Sequence, residues 1–251
     1  MKMLIISDIH GNCTALDAIW EKEKYADLIV CAGDCVEFGF TPHETIAWLK
    51  EHNVIAVAGN HDRGILNMYD RREELRAAPD SELKSHAEYT AKYLTDEDFE
   101  YIRNLPDFAR FTFDGKDYLM THSFNEAQMH HVADSLTSFT DLNPFSELRA
   151  QHTDLDKDAP LRIIEGHTHS AMVNHIAAGK LWINPGSVSY RVGPDHQSKG
   201  SDYIVLENDS FRFEHLYYDS APMIEKLKTL TSFEEWHNNV SHSFWDKEVL
   251  P

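Results

Sequence analysis

The chain predicts an α/β fold organised around a parallel sheet, and two features of its first sixty residues carry the prediction. Short continuous apolar runs recur in LIIS, DLIVCAG and NVIAVAG, each about as long as a strand buried on both faces. A helix signal separates each pair, and strand, helix, strand, helix, strand is the mark of parallel crossovers. At 251 residues there is ample length for a sizeable core. No repeat, low-complexity tract or clear linker interrupts it, so one domain over residues 1–251 is expected.

Each element has a local reason. The first strand runs directly into Ser7-Asp8-Ile9-His10-Gly11-Asn12. A carboxylate at the end of a core strand loses hydration and needs a partner. Two readings are open there: a turn in which Asn12 caps the helix of CTALDAIWEKEK, or a cation held by Asp8 and His10. The second helix opens at Thr41, with Thr41 and Glu44 as a capping box and Pro42 at the first helical position. Residues 63–105 read as helical, with Leu83, Ala87, Thr90 and Leu94 at helical spacing and Thr95 with Asp98 opening a further helix. FARFTFDGKDYLMTHS reads as a hairpin turning at Asp114-Gly115. Residues 124–160 are polar and weakly periodic, which suits a cap or insertion. Short strands resume in LRIIEG, KLWINPG, DYIVLEN and FRFEHLYY. The tail at 221–246 is amphipathic and helical, with Met223, Leu227, Leu230 and Phe233 on one side. It suits packing on the body or, second, a contact between the copies of a homodimer.

Composition narrows the function. Forty-two acidic against twenty-three basic side chains give a formal charge of -19. That argues against duplex nucleic acid, whose binding rests on phosphate neutralisation by Lys and Arg, and equally against an anionic membrane surface. A phosphorylated substrate is disfavoured too, unless bound metal reverses the local charge. No apolar run reaches the length of a membrane span, and no signal-peptide pattern precedes the first strand. Cys13, Cys31 and Cys35 form neither an even framework nor a CxxC, so a reduced, cytoplasmic setting is the expectation.

The strand ends repay comparison. The first ends in Asp8-Ile9-His10, the second in Gly33-Asp34-Cys35-Val36-Glu37 and the third in Gly59-Asn60-His61-Asp62. Asp8, Asp34 and Asn60 recur every 26 positions, room for a helix crossover and the next strand. Open α/β sheets bind ligands beyond the carboxyl ends of their strands, where these side chains should converge. Thr121-His122-Ser123 and Gly166-His167-Thr168-His169 each again follow an apolar strand.

Taken in order, Asp8-x-His10, Gly33-Asp34, Gly59-Asn60-His61-Asp62, His122 and Gly166-His167-x-His169 resemble the calcineurin-like metallophosphoesterase superfamily. The resemblance covers residues 3–207. The segments GDCVEFGFTPHE, AGNHD and INPGSVSYR are similar to its bacterial and archaeal phosphodiesterase branch, which includes diadenosine-tetraphosphatase-like members. It implies a four-layer α-β-β-α sandwich with two central mixed sheets and a two-metal site. One metal would take Asp8, His10, Asp34 and His169, the other Asp34, Asn60, His122 and His167, with Asp34 bridging. The resemblance thus favours the cation over the simple turn at Asp8 and His10. It implies His61 as the general acid, oriented from the position of Glu37, where the related protein phosphatases carry a shorter Asp. Asn12, beside this motif, is placed among the substrate-binding residues. Arg191, after the Asn184-Pro185-Gly186-Ser187 turn, is read as a phosphate contact or an ordinary surface arginine, the two weighed evenly.

Carboxylate, imidazole and amide donors without thiolate suit manganese, iron, zinc or cobalt, divalent or trivalent, and do not choose among them; manganese and iron are the favoured expectation. Two such ions outweigh the two carboxylates and offer phosphate a cationic pocket, and ions about 3.5–4 Å apart hold hydroxide for an in-line displacement. The expected activity is hydrolysis of phosphodiester or phosphoanhydride bonds in small nucleotides such as dinucleoside polyphosphates. The alternatives are a Ser/Thr protein phosphatase or phosphomonoesterase, and a non-catalytic scaffold on the same fold. Phe38-Gly39 and Asp62 depart from the protein-phosphatase pattern, and the intact ligand set departs from that of scaffolds.

Other signals read as bland. Asp154, Asp156 and Asp158 with Glu165 mimic EF-hand spacing, but Ala159 stands where glycine is needed. Cys31 and Cys35 lack a second pair for zinc. His130, His131, His237 and His242 read as exposed, and Asp70–Arg76 as a solvated helix face.

Overall fold

Alternate residues of the first apolar run face two different cores, which is why the run shows no polar face. Strand β1 (Lys2–Ile6) sends Leu4 and Ile6 into one buried cluster and Met3 and Ile5 into another. The computed structural model describes residues 1–123, 160–177, 179–189, 200–219, 221 and 225. After β1 come helix α1 (Cys13–Glu23), strand β2 (Leu28–Cys31), helix α2 (Pro42–Glu51) and the short strand β3 (Ile55–Ala56). A helical stretch follows: α3 (Asn60–Ile65), a 3₁₀ segment (Leu66–Arg71), α4 (Arg72–Ala77), a 3₁₀ turn (Asp80–Glu82), α5 (His86–Tyr93) and α6 (Asp96–Asn104). The remaining strands are β4 (Phe108–Phe113), β5 (Lys116–Thr121), β6 (Leu161–Ile164), β7 (Met172–Ala177), β8 (Lys180–Asn184), β9 (Gly200–Glu207) and β10 (Ser210–Tyr217).

The strands form two mixed five-stranded sheets, ordered β10-β9-β1-β2-β3 and β4-β5-β6-β8-β7. In the first, β1, β2 and β3 are parallel, as the crossovers predict, and β9 runs antiparallel to β1. In the second, β5, β6 and β8 are parallel, flanked by antiparallel β4 and β7. Met3, Ile5, Val30 and Ile204 of the first sheet meet Tyr118, Met120, Ile164 and Ile183 of the second. Leu4, Ile6, Ile29 and Cys31 instead pack under the helices, with Leu16, Ile46, Leu49, Phe99 and Ile102. Each fully buried side chain of this size contributes about 1.5–3 kcal/mol over leaving it in water. This is the sandwich of two mixed sheets with helices that the resemblance implies.

Several local expectations are refined. The β4–β5 hairpin turns at Asp114-Gly115, both with positive φ (49° and 71°), as a two-residue type I′ turn needs. Thr95 and Asp98 cap α6 reciprocally. Thr41, in contrast, makes no capping box. Its hydroxyl donates to Gly11 O (2.6 Å) and accepts from Cys13 N (2.9 Å), because the loop after β1 lies alongside, where Gly11 O also accepts from Thr41 N (2.9 Å). Leu83 is buried but not helical: Ser85 caps α5 through Glu88 N, so that helix starts three residues later. Strand β7, at the edge of its sheet, has Met172, Val173 and Asn174 half-buried and His175 exposed, and carries no sequence signal of its own. The insertion expected at 124–160, apart from residue 160, and the tail, apart from residues 221 and 225, lie outside the described residues. No helix among the described residues is long and apolar enough to cross a membrane.

Candidate metal centre

The parallel strands of both sheets point their carboxyl ends at one place. Beyond them the loop after β1 is zipped to the loop after β2 by Asp8 N to Gly33 O, His10 N to Asp34 O and Gly11 N to Cys35 O, each 2.9 Å. The loop after β6 reaches across from the second sheet. Its His167 N donates to Asp8 Oδ2 (3.0 Å), while Asp34 Oδ1 accepts from His61 N (2.9 Å). Backbone amides thus orient both carboxylates. The glycines of the motifs make the approach feasible: a Cβ on Gly59 would lie 2.0 Å from Asp34 Oδ1, and one on Gly166 2.0 Å from Ser7 Oγ.

Two clusters result, Asp8 with His10 and His169, and Asp34 with His122 and His167, the donor atoms of each within 4.8 Å of one another. His169 Nε2 lies 3.1 Å from Asp8 Oδ1 and 3.4 Å from His10 Nε2. His122 Nε2 lies 3.1 Å from Asp34 Oδ2, 3.0 Å from Asn60 Oδ1 and 3.1 Å from His167 Nδ1. Asp34 Oδ2 is also 3.9 Å from His10 Nε2, which places it between the clusters. Donors about 2.1 Å from a shared ion lie about 3.0 Å apart at right angles and about 3.4 Å apart in a tetrahedron. The separations of 3.0–3.4 Å match those edges, while those from His10 Nε2 to Asp34 Oδ2 (3.9 Å) and Asp8 Oδ1 (4.0 Å) are longer, and one imidazole N–H could not serve three partners at once. The donor set therefore fits divalent cations. His122 Nδ1 meets Ala32 O at 2.7 Å, a backbone contact that turns Nε2 inward.

The seven side chains named from the sequence as ligands are brought together, and five of them share an unexpected backbone. Asp8, His10, Asp34, His167 and His169 all have φ between 50° and 68°. Such left-handed residues carry strain that the surrounding structure must hold. Part of that hold is the turn after β8: Ser187 Oγ donates to Asp8 O (2.9 Å), Ser189 Oγ to Ile9 O (2.5 Å) and Asn184 Nδ2 to Gly166 O (2.7 Å). Asn184, Ser187 and Ser189 carry no donor-set signature, and the sequence reading passed over their bracing role.

Charge follows geometry. Burial pushes the carboxyls of Asp8 and Asp34 up, but the neighbouring histidines outweigh it and hold both below the usual range. Burial drives His10 down to about 3, despite Asp34. For His122 burial is overcome by Asp34, which carries the ring up to about 10. Asp62, fully buried, is pushed up to about 6 by burial and Asp34. Its carboxylate accepts from Gly59 N, Cys35 N and Val36 N, tying the loops after β2 and β3.

On the open side stands His61, whose Nδ1 lies 2.6 Å from Glu37 Oε2. The extra carbon of Glu37, relative to aspartate, is accommodated by a curled loop in which Glu37 and Phe38 have φ of 77° and 66°. Burial raises the Glu37 carboxyl, yet hydrogen bonds from His61 and His86 bring it down to about 2. Burial lowers His61, but Glu37 and Asp34 raise it above the ordinary histidine value overall. Asn12 is buried, with Oδ1 accepting from Ala15 N (3.1 Å) and Nδ2 donating to Tyr218 Oη (2.7 Å). Both ends of its amide thus serve the fold. Arg191 lies outside the described residues, as do His130, His131, His237 and His242. Glu165 is buried beside Trp182 Nε1 (2.8 Å).

Known proteins match this chain in family and in fold. The family model for the calcineurin-like phosphoesterase superfamily domain matches residues 1–210. The chain therefore belongs to that superfamily, a family dependent on divalent metal. It is 25% identical over 247 residues to an uncharacterised protein of Methanocaldococcus jannaschii, across 89% of this chain and 90% of that one. A metallophosphoesterase of known structure from Sphaerobacter thermophilus matches with a TM-score of 0.66 at 21% identity, over 97% of this chain and 100% of that one. A hypothetical protein from Pyrococcus horikoshii matches with a TM-score of 0.69 at 18% identity, over 98% and 99%. These two share the fold.

Proposed function

We propose that this phosphoesterase hydrolyses phosphodiester or phosphoanhydride bonds of small nucleotide-type substrates, dinucleoside polyphosphates among them, with His61 as general acid. The observation that carries the reading is the pair of donor clusters meeting at Asp34 with the Glu37-backed imidazole of His61 beside them. Asp8, His10, Asp34 and His169 would hold one cation, and Asp34, Asn60, His122 and His167 the other. Two cations there would supply Lewis-acid charge that draws in a phosphoryl group and lowers the pKa of an attacking water.

The chain's own part is positioning and proton transfer. Glu37 accepts from His61 Nδ1–H, which leaves Nε2 to face the substrate. The attacking water gives one proton to solvent; as its oxygen bonds to phosphorus, the bond from phosphorus to the leaving oxygen breaks, that oxygen takes the Nε2 proton, and solvent then reprotonates His61. Glu37 and Asp34 raise the pKa of His61 above the ordinary histidine value, which favours the protonated form that a general acid requires.

The test is manganese-loaded protein with a dinucleoside tetraphosphate, products separated by ion exchange, beside a bis(p-nitrophenyl) phosphate assay. A triphosphate with a monophosphate means asymmetric cleavage, and two diphosphates mean symmetric cleavage. Silence on both with metal bound would overturn the substrate class in favour of phosphomonoesters or phosphoproteins. Failure to take up metal would favour a scaffold.

A further inference from the structure

Glu37 has a second partner that no motif announces. Its Oε2 takes a hydrogen bond from Nδ1 of His61, while Oε1 lies 2.6 Å from Nδ1 of His86 in an ion-pair contact off the line of that N–H, so one carboxylate sits between two imidazoles. His86 opens α5, within the helical stretch and outside every strand-end loop. The first turn of a helix favours acidic side chains, so a histidine there gains nothing from its own helix. Its contact lies across the gap, on the loop after β2.

That gap is closed by packing. Tyr89, one turn further along α5 and 2% exposed, donates from Oη to Phe40 O (3.3 Å) and sets its ring edge-on to that of Phe40, 5.7 Å away. Phe38 wedges between the rings, its centroid 4.2 Å from His86, 4.7 Å from His61 and 5.1 Å from His10. An apolar ring beside the bridge lowers the local dielectric and strengthens the polar contacts within it. The left-handed Glu37 and Phe38 residues need such external support to persist.

We propose that His86 is a positioning residue for the leaving-group step: by holding Oε1 of Glu37 it keeps Oε2 on His61 Nδ1 and so aims His61 Nε2 at the leaving oxygen. This rests on the general-acid role proposed for His61. A carboxylate held at one oxygen can swing about its terminal bonds, whereas one held at both cannot. The general acid thereby acquires a backing pair of residues, one from the loop after β2 and one from a separate helix.

Two readouts test it together. In manganese-loaded enzyme, His86→Ala should lower the ratio of turnover on a diester with a nucleoside leaving group to turnover on bis(p-nitrophenyl) phosphate about tenfold. Nitrophenolate needs little help from an acid, so a merely structural defect would lower both rates alike and leave the ratio unchanged. His86→Asn, which returns an N–H donor close to Nδ1, should recover most of the ratio. Proton NMR of metal-free protein provides the second readout. Wild type should show two strongly downfield imidazole protons, both lost in Glu37→Gln. His86→Ala should remove one and shift the other. An unshifted His61 proton or an unchanged ratio would overturn the proposal. A wild type inactive on every phosphoester would overturn the hydrolase reading instead, and the spectrum would still decide whether His86 holds Glu37.

Discussion

The strand-end loops and the helices from α4 to α6 build the same site in opposite ways. The loops after β1, β2 and β6 carry five of the seven donors on strained, left-handed backbone, with His169 Nε2 3.1 Å from Asp8 Oδ1 and 3.4 Å from His10 Nε2. The helices bring His86 and Tyr89 up behind the site on unstrained backbone, where they touch Glu37 and Phe40. The first arrangement is crowded and tolerates almost no added atom. The second is a buttress, and its loss should weaken rather than abolish.

That contrast orders the expected effects of substitution. Asp34→Asn should be the most damaging, because Asp34 lies between both clusters and its charge dominates their field. Turnover should fall by more than the roughly 100-fold that outer partners of a metal site cost, with metal per chain falling in parallel. Retention of full metal by this variant would contradict the shared position of Asp34. Gly59→Ala should come next, since its Cβ would lie 2.0 Å from Asp34 Oδ1. Overpacking of this kind costs about 1–3 kcal/mol, read as a lower melting temperature together with reduced metal content. His61→Ala should lower turnover about 100-fold while leaving metal content near that of wild type. Equal metal loss in His61→Ala and Asp34→Asn would place His61 among the ligands.

Smaller effects probe the buttress. Glu37 is held at about 2 in the folded protein against an ordinary 4.5, so the stability it contributes is present above about pH 4.5 and is lost as pH falls toward 2. Metal-free wild type should therefore exceed Glu37→Gln by on the order of 2–3 kcal/mol near neutrality, a margin that shrinks in acid. A pH-independent gap would mean that Glu37 acts by packing alone. Thr41→Val should cost least, about 1 kcal/mol, by removing the hydroxyl that joins Gly11 O to Cys13 N. Chemical denaturation would register it, with little change in metal content.

Much of this was legible before any coordinates. Uninterrupted apolar runs mean strands covered on both faces, and β1 indeed divides its side chains between two cores. The 26-residue recurrence of Asp8, Asp34 and Asn60 placed three polar groups at the ends of neighbouring parallel strands. A short-range pattern suffices there, because strand direction and crossover length dictate where a strand's last residue falls. The Thr41 capping box failed for the opposite reason: a loop from elsewhere in the chain offered the hydroxyl better partners than its own helix did.

Residue types and spacing therefore specified the parallel strands, the hairpin at Asp114-Gly115 and polar groups at the strand ends, while the two-sheet sandwich and the division into two metal positions came from the family resemblance. The left-handed backbone at five of those seven residues, the bracing of their loops by Asn184, Ser187 and Ser189, and the bridge from Glu37 to His86 arise only once two sheets and a helix are packed together. Local sequence sets the preferences of a turn or a strand. Strain and long-range hydrogen bonds depend on contacts between segments far apart in the chain, and only the folded core supplies the energy that holds them.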